Sequence, residues 1–192
     1  MTKDDVFKIF GINDIMDLPD AVMDIVMGVK DNRDKVYHKL LDASGYDLSH
    51  DWFAEIYESE LAQRKQKKQD FTPSSVSLLI SELTGVSTGT IHEPTAGNGS
   101  MLIADWYRRI KRVFSWEYFP SQNIFCCWEL SDRSIPLLLL NLSIRGMMGY
   151  VYHGDVLENT IKAKYILLNK PDDALAFSDV VKVGKGSKIV KE

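Results

Sequence analysis

The residues from Glu93 to Gly99, Glu-Pro-Thr-Ala-Gly-Asn-Gly, set an acid, a proline and two closely spaced glycines between an apolar approach and a helical pattern. Gly97 and Gly99 can adopt backbone angles closed to other residues and let a ligand come close to the main chain. A helix beginning at about Ser100 would turn its first N–H groups toward that ligand. Two glycines alone would suit a plain tight turn. Glu93, Pro94 and Ala96 in front of them favour a strand-turn-helix unit built around an adenosine-containing ligand. In such a unit the second strand ends in an acid that takes the ribose hydroxyls, usually ~20 residues past the glycines. Glu129 closes the predicted second strand, and the aromatic-rich insertion from Val113 to Pro120 accounts for its greater distance.

These groups need elements to hold them. From Met1 to about Gln69 the pattern is helical. Val22, Ile25, Val26 and Val29 follow i, i+3, i+4, i+7 spacing. Tyr37, Leu40 and Leu41 predict a second helix stopped near Gly45. A third starts near Ser49, with Trp52, Phe53, Ile56, Tyr57 and Leu61 on its inner side, and ends in the basic stretch Arg64 to Gln69. Beyond it, Thr72 can cap a helix with Pro73 at its first position and Val76, Leu79, Ile80 and Leu83 buried. Strands are predicted at Thr90–Glu93, Asn123–Trp128, Tyr150–His153 and Lys164–Leu168, with one more between Ala176 and Val183. Helices over Ser100–Arg112 and Ser131–Arg145 separate the first three. This alternation predicts a mostly parallel α/β sheet with right-handed crossovers. Arg108, Arg109, Lys111 and Arg112 read as a solvated helix end.

The Glu93–Gly99 segment resembles the Asp/Glu-Pro-x-x-Gly-x-Gly motif of S-adenosylmethionine-dependent DNA methyltransferases. Upstream, Phe71-Thr72-Pro73 resembles the Phe-x-Pro or Tyr-Thr-Pro element of the adenine-specific branch, and the order of the two motifs also agrees. The modification subunit of type I restriction-modification systems is the nearest likeness, over roughly residues 65 to 170. The resemblance implies an α/β, Rossmann-like methyltransferase sheet of about five strands, truncated, carrying an N-terminal helical segment. It divides the chain into helices over 1–69, a cofactor domain over 70–183 and a basic tail over 184–192. The implied cofactor is S-adenosylmethionine, held by Phe71, Thr72, Pro73, Glu93, Pro94, Thr95, Ala96, Gly97, Gly99, Glu129 and Asp155. His153-Gly154-Asp155-Val156-Leu157 is similar to the family's Gly-Asp-x-Leu element, whose acid approaches the adenine moiety. An aromatic face at Phe71 suits a sulfonium cation, and the bland alternative is a ring stapling the next helix. His153 reads as structural.

The family's Asn/Asp-Pro-Pro-Tyr/Phe motif positions the target amine of a flipped base just past the fourth strand. Here that place reads Asn169-Lys170-Pro171-Asp172. Asn169 and Pro171 are the candidate catalytic positions, because Asn169 retains an amide that can accept from an amine. Asp172 cannot stack on a base, and little chain follows it. Two readings therefore stand: an adenine-specific DNA methyltransferase domain, or a degenerate relative that acts as a binding or regulatory module. A nicotinamide oxidoreductase is disfavoured, since Leu102 occupies the third glycine position of Gly-x-Gly-x-x-Gly.

A net charge of −4 argues against strong autonomous DNA binding, which depends on cations neutralising phosphates. DNA contact is expected through a partner, either a specificity subunit or a second copy of the chain. Cys126 and Cys127 are adjacent, which gives neither a disulfide framework nor zinc spacing. They fit reduced core residues in a cytoplasmic protein. The Met1–Asp5 start lacks a signal-peptide layout, and the longest apolar run, Ile135 to Leu140, is too short to span a bilayer.

Overall fold

The segment Ser134–Ile144 carries leucine or isoleucine on every side, so a helix formed there has no face to offer water. In the computed structural model, which describes residues 1–54, 56, 72–85 and 88–184, all eleven of its residues are buried. This helix is the hub of the molecule, with a sheet on one side and N-terminal helices on the other. Phe71, Tyr57, Leu61, the basic stretch before Phe71 and the basic tail lie outside the described residues.

In chain order the described helices are α1 (Lys3–Phe10), α2 (Leu18–Val26), α3 (Lys30–Ala43), α4 (Ser74–Thr84), α5 (Ser100–Ile110) and α6 (Ser134–Ile144). The strands are β1 (Ile91–Glu93), β2 (Phe125–Glu129), β3 (Gly149–Asp155), β4 (Thr160–Leu168) and β5 (Asp179–Lys182), paired in the order β1-β2-β3-β4-β5. Side chains alternate across the sheet. Phe125, Cys127, Val151, Tyr165 and Leu167 are buried, while Cys126, Trp128, Tyr152 and Lys164 on the other face are only half-buried. Both cysteines are free, and burial drives the Cys127 thiol well above its usual range.

The sheet is α/β and mixed. β1, β2 and β3 run parallel, with Ile91 opposite Phe125 and Glu129 opposite His153. The parallel run ends there, because β4 is antiparallel to β3 and β5 is antiparallel to β4. The reason is chain length. Residues 156–159 are all that join β3 to β4, and a parallel return needs a crossover of roughly a dozen residues or more. Asn159 at φ 50° supplies the left-handed residue of the hairpin turn.

Other sequence expectations are corrected locally. Pro73 is the N-cap of α4 (φ −55°, ψ 140°) rather than its first residue, and it has no side-chain cap to offer. The buried side of α4 is Ser77 and Ser81, and it faces α5. Leu79 is 59% exposed and Leu83 77%, so the expected apolar face of α4 points outward. Arg108 and Arg109 are buried, not solvated. Asp105 takes both, at 2.6 Å each, and Arg109 also donates to the Gly89 carbonyl and Asn123. Val29 falls beyond α2 and is exposed.

The N-terminal helices share one hydrophobic cluster with the sheet. Leu18 and Val22 of α2 are fully buried and α2 packs on α6. The Tyr37 hydroxyl meets Ser143 Oγ at 2.5 Å, and Arg33 on α3 donates to Asp179 on β5 at 3.0 Å.

Candidate functional site

The site stands at the carboxyl ends of β1, β2 and β3, where an open α/β sheet leaves a crevice. β1 stops at Glu93, and the chain stays tied to β2 through Ala96 N–H, which donates to the Trp128 carbonyl at 2.8 Å. Gly97 then turns at φ 55° and Gly99 at φ 96°. The two glycines answer different demands. A Cβ on Gly99 would lie 2.9 Å from Leu138 Cδ1, so this residue lets the turn press against α6. A Cβ on Gly97 would meet nothing within 4 Å among the described residues, so none of them covers its bare face.

Glu129 closes the site from the second strand. Its Oε2 accepts from Gly97 N–H at 2.7 Å and its Oε1 from Ser131 N–H at 2.7 Å. One carboxylate thus locks the glycine turn to the end of β2. Glu93 curls over the same turn, with Oε1 accepting from Thr95 N–H at 3.2 Å. Gly99 is the N-cap of α5 and has no side chain to cap it, which leaves the first-turn amides to a ligand or to water. The residues present fit an adenosine-type cofactor: an acid bonded to the turn, open space at Gly97 and an uncapped helix start.

Asp155 lies two residues past His153, the partner of Glu129 across β2 and β3. Its Oδ1 accepts from Leu157 N–H at 2.9 Å and Glu158 N–H at 3.1 Å, which shapes the β3–β4 turn beside the crevice. His153 Nε2 lies 3.0 Å from Asp132 Oδ1, and Lys162 Nζ approaches the same oxygen at 3.2 Å. Thr72 and Pro73 are exposed ahead of α4.

Asn169 and Pro171 are not brought to this crevice. β4 runs opposite to β3, and Leu167 pairs with Gly149 at the start of that strand. Asn169 is therefore at the amino-terminal end of β1–β3, roughly 20 Å from Asp155 at the rise of a seven-residue strand. Its amide is already occupied. Nδ2 lies within 3.0 Å of the carbonyls of Gly146, Asp173 and Ala176, and Oδ1 accepts from Asp173 N–H. Asn169 is 2% exposed and acts as a loop clamp, while Pro171 is exposed in that loop. Asp172 reaches back to Ser121, before β2, which confirms the end of the sheet to which this loop belongs.

The profile of the N-6 DNA methylase family matches residues 48–175, more than half of the chain. The chain belongs to the N-6 DNA methylase family. The match spans the glycine turn, Glu129 and Asp155, and it begins inside the N-terminal helical part. A search of curated proteins finds no match.

Within this N-6 DNA methylase domain a second set of residues touches the turn, and the motif reading missed it. Asn141 on α6 donates through Nδ2 to the Asn98 carbonyl and to Asp51 Oδ1, at 2.9 Å each. Asp51 also accepts from Phe53 N–H at 3.0 Å. Burial drives the Asp51 carboxyl up, against hydrogen bonds from Asn141 and Phe53 and the charge of Arg145. The sequence held one clue, a lone asparagine inside Leu137–Leu142, where a buried amide demands partners.

Proposed function

We propose that the chain binds S-adenosylmethionine at the carboxyl ends of β1–β3 and serves transfer of its methyl group to the exocyclic amine of adenine in DNA. The observation that carries this reading is the Glu129 carboxylate bonded to Gly97 N–H inside a family match. Glu129 would take the ribose hydroxyls and Asp155 the adenine edge. The amides of Gly97 and the α5 start would face the ligand, and Glu93 would stand toward its cationic end. Pro94, Thr95 and Ala96 shape the turn. Phe71, with Thr72 and Pro73, would border the sulfonium, where an aromatic face stabilises a cation. When bound, the cofactor supplies the electrophilic methyl group; the residues bind, orient and shield it.

Isothermal titration of the whole chain with S-adenosylmethionine, and separately with its demethylated product, tests this. Saturable binding to both is expected, weakened roughly tenfold or more by Glu129→Ala, which removes a hydrogen-bonding charge. Absence of saturable binding at millimolar ligand would overturn the reading.

A second reading rests on the place of Asn169. With that amide consumed at the far end of the sheet, the chain binds cofactor, and the group that holds the target amine comes from a partner. The net charge of −4 fits DNA contact through such a partner, a specificity subunit or a second copy. Labelled methyl appearing in adenine with this chain alone, and vanishing in Asn169→Ala, would refute it.

A further inference from the structure

The glycine turn is held from two sides, and only one of them belongs to the sheet. On the other, Arg145 is fully buried and clamps the loop after α3. Its Nε donates to the Leu48 carbonyl at 2.9 Å and Nη2 to the His50 carbonyl at 2.6 Å. Its Nη1 donates to the Asn141 backbone oxygen and to Asn141 Oδ1, at 2.8 and 3.2 Å, and its guanidinium lies over the Trp52 ring. Asn141 carries the connection onward to Asp51 and to the Asn98 carbonyl, in the middle of the turn. The chain of contacts therefore runs from the loop at 48–53 through α6 into Gly97-Asn98-Gly99. Two atoms at its end are unmatched. Asp51 Oδ2 and Asn98 Nδ2 are both buried without a hydrogen-bond partner among the described residues, although Asn98 is among the groups that act on the Asp51 carboxyl. A buried acceptor and a buried donor left without partners are costly, and such groups call for an explanation.

We propose that Asp51 is a positioning residue for the cofactor turn, acting through Asn141 on the Asn98 carbonyl and directly on the Asn98 amide. The loop at 48–53 is on this view part of the support of the binding site. Two consequences follow. Asn98 is the residue between the glycines, and the reason it carries an amide lies in the N-terminal segment rather than in the ligand. The turn's shape also depends on residues far from it in sequence, so a disturbance at 48–53 is felt at Gly97. The inference rests on the proposed cofactor role for its functional meaning, and on the hydrogen-bond network alone for its structural meaning.

Amide hydrogen exchange of the free, whole chain tests it, with β3 and β4 amides as the internal reference. Asn98→Asp sets a carboxylate against Asp51 and is expected to speed exchange at Gly97 and Gly99 roughly tenfold beyond any change in the reference strands. Adding Asp51→Asn restores a donor facing an acceptor. The double variant should return turn exchange to near the wild-type rate and recover S-adenosylmethionine affinity lost in the single variant. Turn exchange unchanged in Asn98→Asp, or a double variant no better than the single, would overturn the proposal. If Asn98→Asp does not fold and the double variant does, the pairing is supported. If neither folds, Asn98→Ala decides, with loss of turn protection expected and intact protection overturning it. Exchange needs no ligand. A wild-type chain that binds no S-adenosylmethionine thus defeats the proposed function, while the exchange result still judges this one.

Discussion

Gly97 and Gly99 look alike in the sequence and do different work. Both have positive φ, a region costing a side chain roughly 1–2 kcal/mol. Gly99 has a steric demand in addition, since its Cβ would press on Leu138 and Leu142 of α6. Gly99→Ala is therefore expected to destabilise the protein by about 2–4 kcal/mol, strain and overpacking together. Gly97→Ala should cost about half as much, yet its new methyl group would point into the space proposed for the ligand. Thermal unfolding paired with cofactor titration separates the two. A Gly97→Ala protein that keeps full affinity would show that the open space at this residue is not where the ligand lies. At this scale the sequence was most legible, because backbone angles and acid placement at a turn are local demands. Strand order sets Glu129 at the end of β2, where it accepts from Gly97 N–H. Asp51, Asn98 and Asn141 were not legible in this way, because their meaning depends on a contact between residues widely separated along the chain.

At the scale of elements, each strand was legible and its partner was not. Tyr150, Val151 and Tyr152 mark β3 and Thr160, Ile161, Tyr165 and Ile166 mark β4, but neither set states whether the next strand returns parallel or folds back. The four residues between them settle it, and the Asp155 cap and Asn159 turn were the readable signs. Once β4 is antiparallel, the residue after it is delivered to the end of the sheet away from the glycine turn. The α4 helix shows the same limit. Its apolar periodicity is real, yet small serines let it approach α5, and the leucine side is left outward. Asn169→Ala follows from the element, not from the chemistry. It strands the buried carbonyl of Gly146 and the half-buried one of Ala176, and should lower stability by about 1–3 kcal/mol. Cofactor affinity should be unchanged, the proposed site being at the other end of β3. A loss of affinity as large as that of Glu129→Ala, with the fold intact, would place Asn169 in the site after all.

For the whole molecule, the N-terminal helices are joined to the sheet by packing and by charge. Arg33 on α3 is buried and divides its guanidinium between Asp34 and Asp179, while Lys170 reaches the second oxygen of Asp179 at 2.8 Å. Burial pushes the Asp179 carboxyl up, but the hydrogen bonds from Lys170 and Arg33 outweigh it and hold it below its ordinary value of 3.8. A carboxyl depressed on folding contributes stability that is present above its unfolded value and is lost as pH falls through the folded one. Asp51 has the opposite sign. Its raised carboxyl favours the unfolded chain as pH rises above the ordinary carboxylate range, so the two residues bend the pH profile in opposite directions. The wild-type profile alone cannot assign either. The difference between wild type and Asp179→Asn can, since Asp51 is common to both. At neutral pH the variant should be less stable by about 1–2 kcal/mol, Lys170 being largely solvent-screened and Arg33 left buried with one partner fewer. The gap should hold down to about pH 5 and close below the ordinary carboxylate value. Urea unfolding across that range measures it. A gap that persists in acid would mean that Asp179 joins α3 to β5 by shape and neutral hydrogen bonding, and that charge contributes nothing to holding the helices on the sheet.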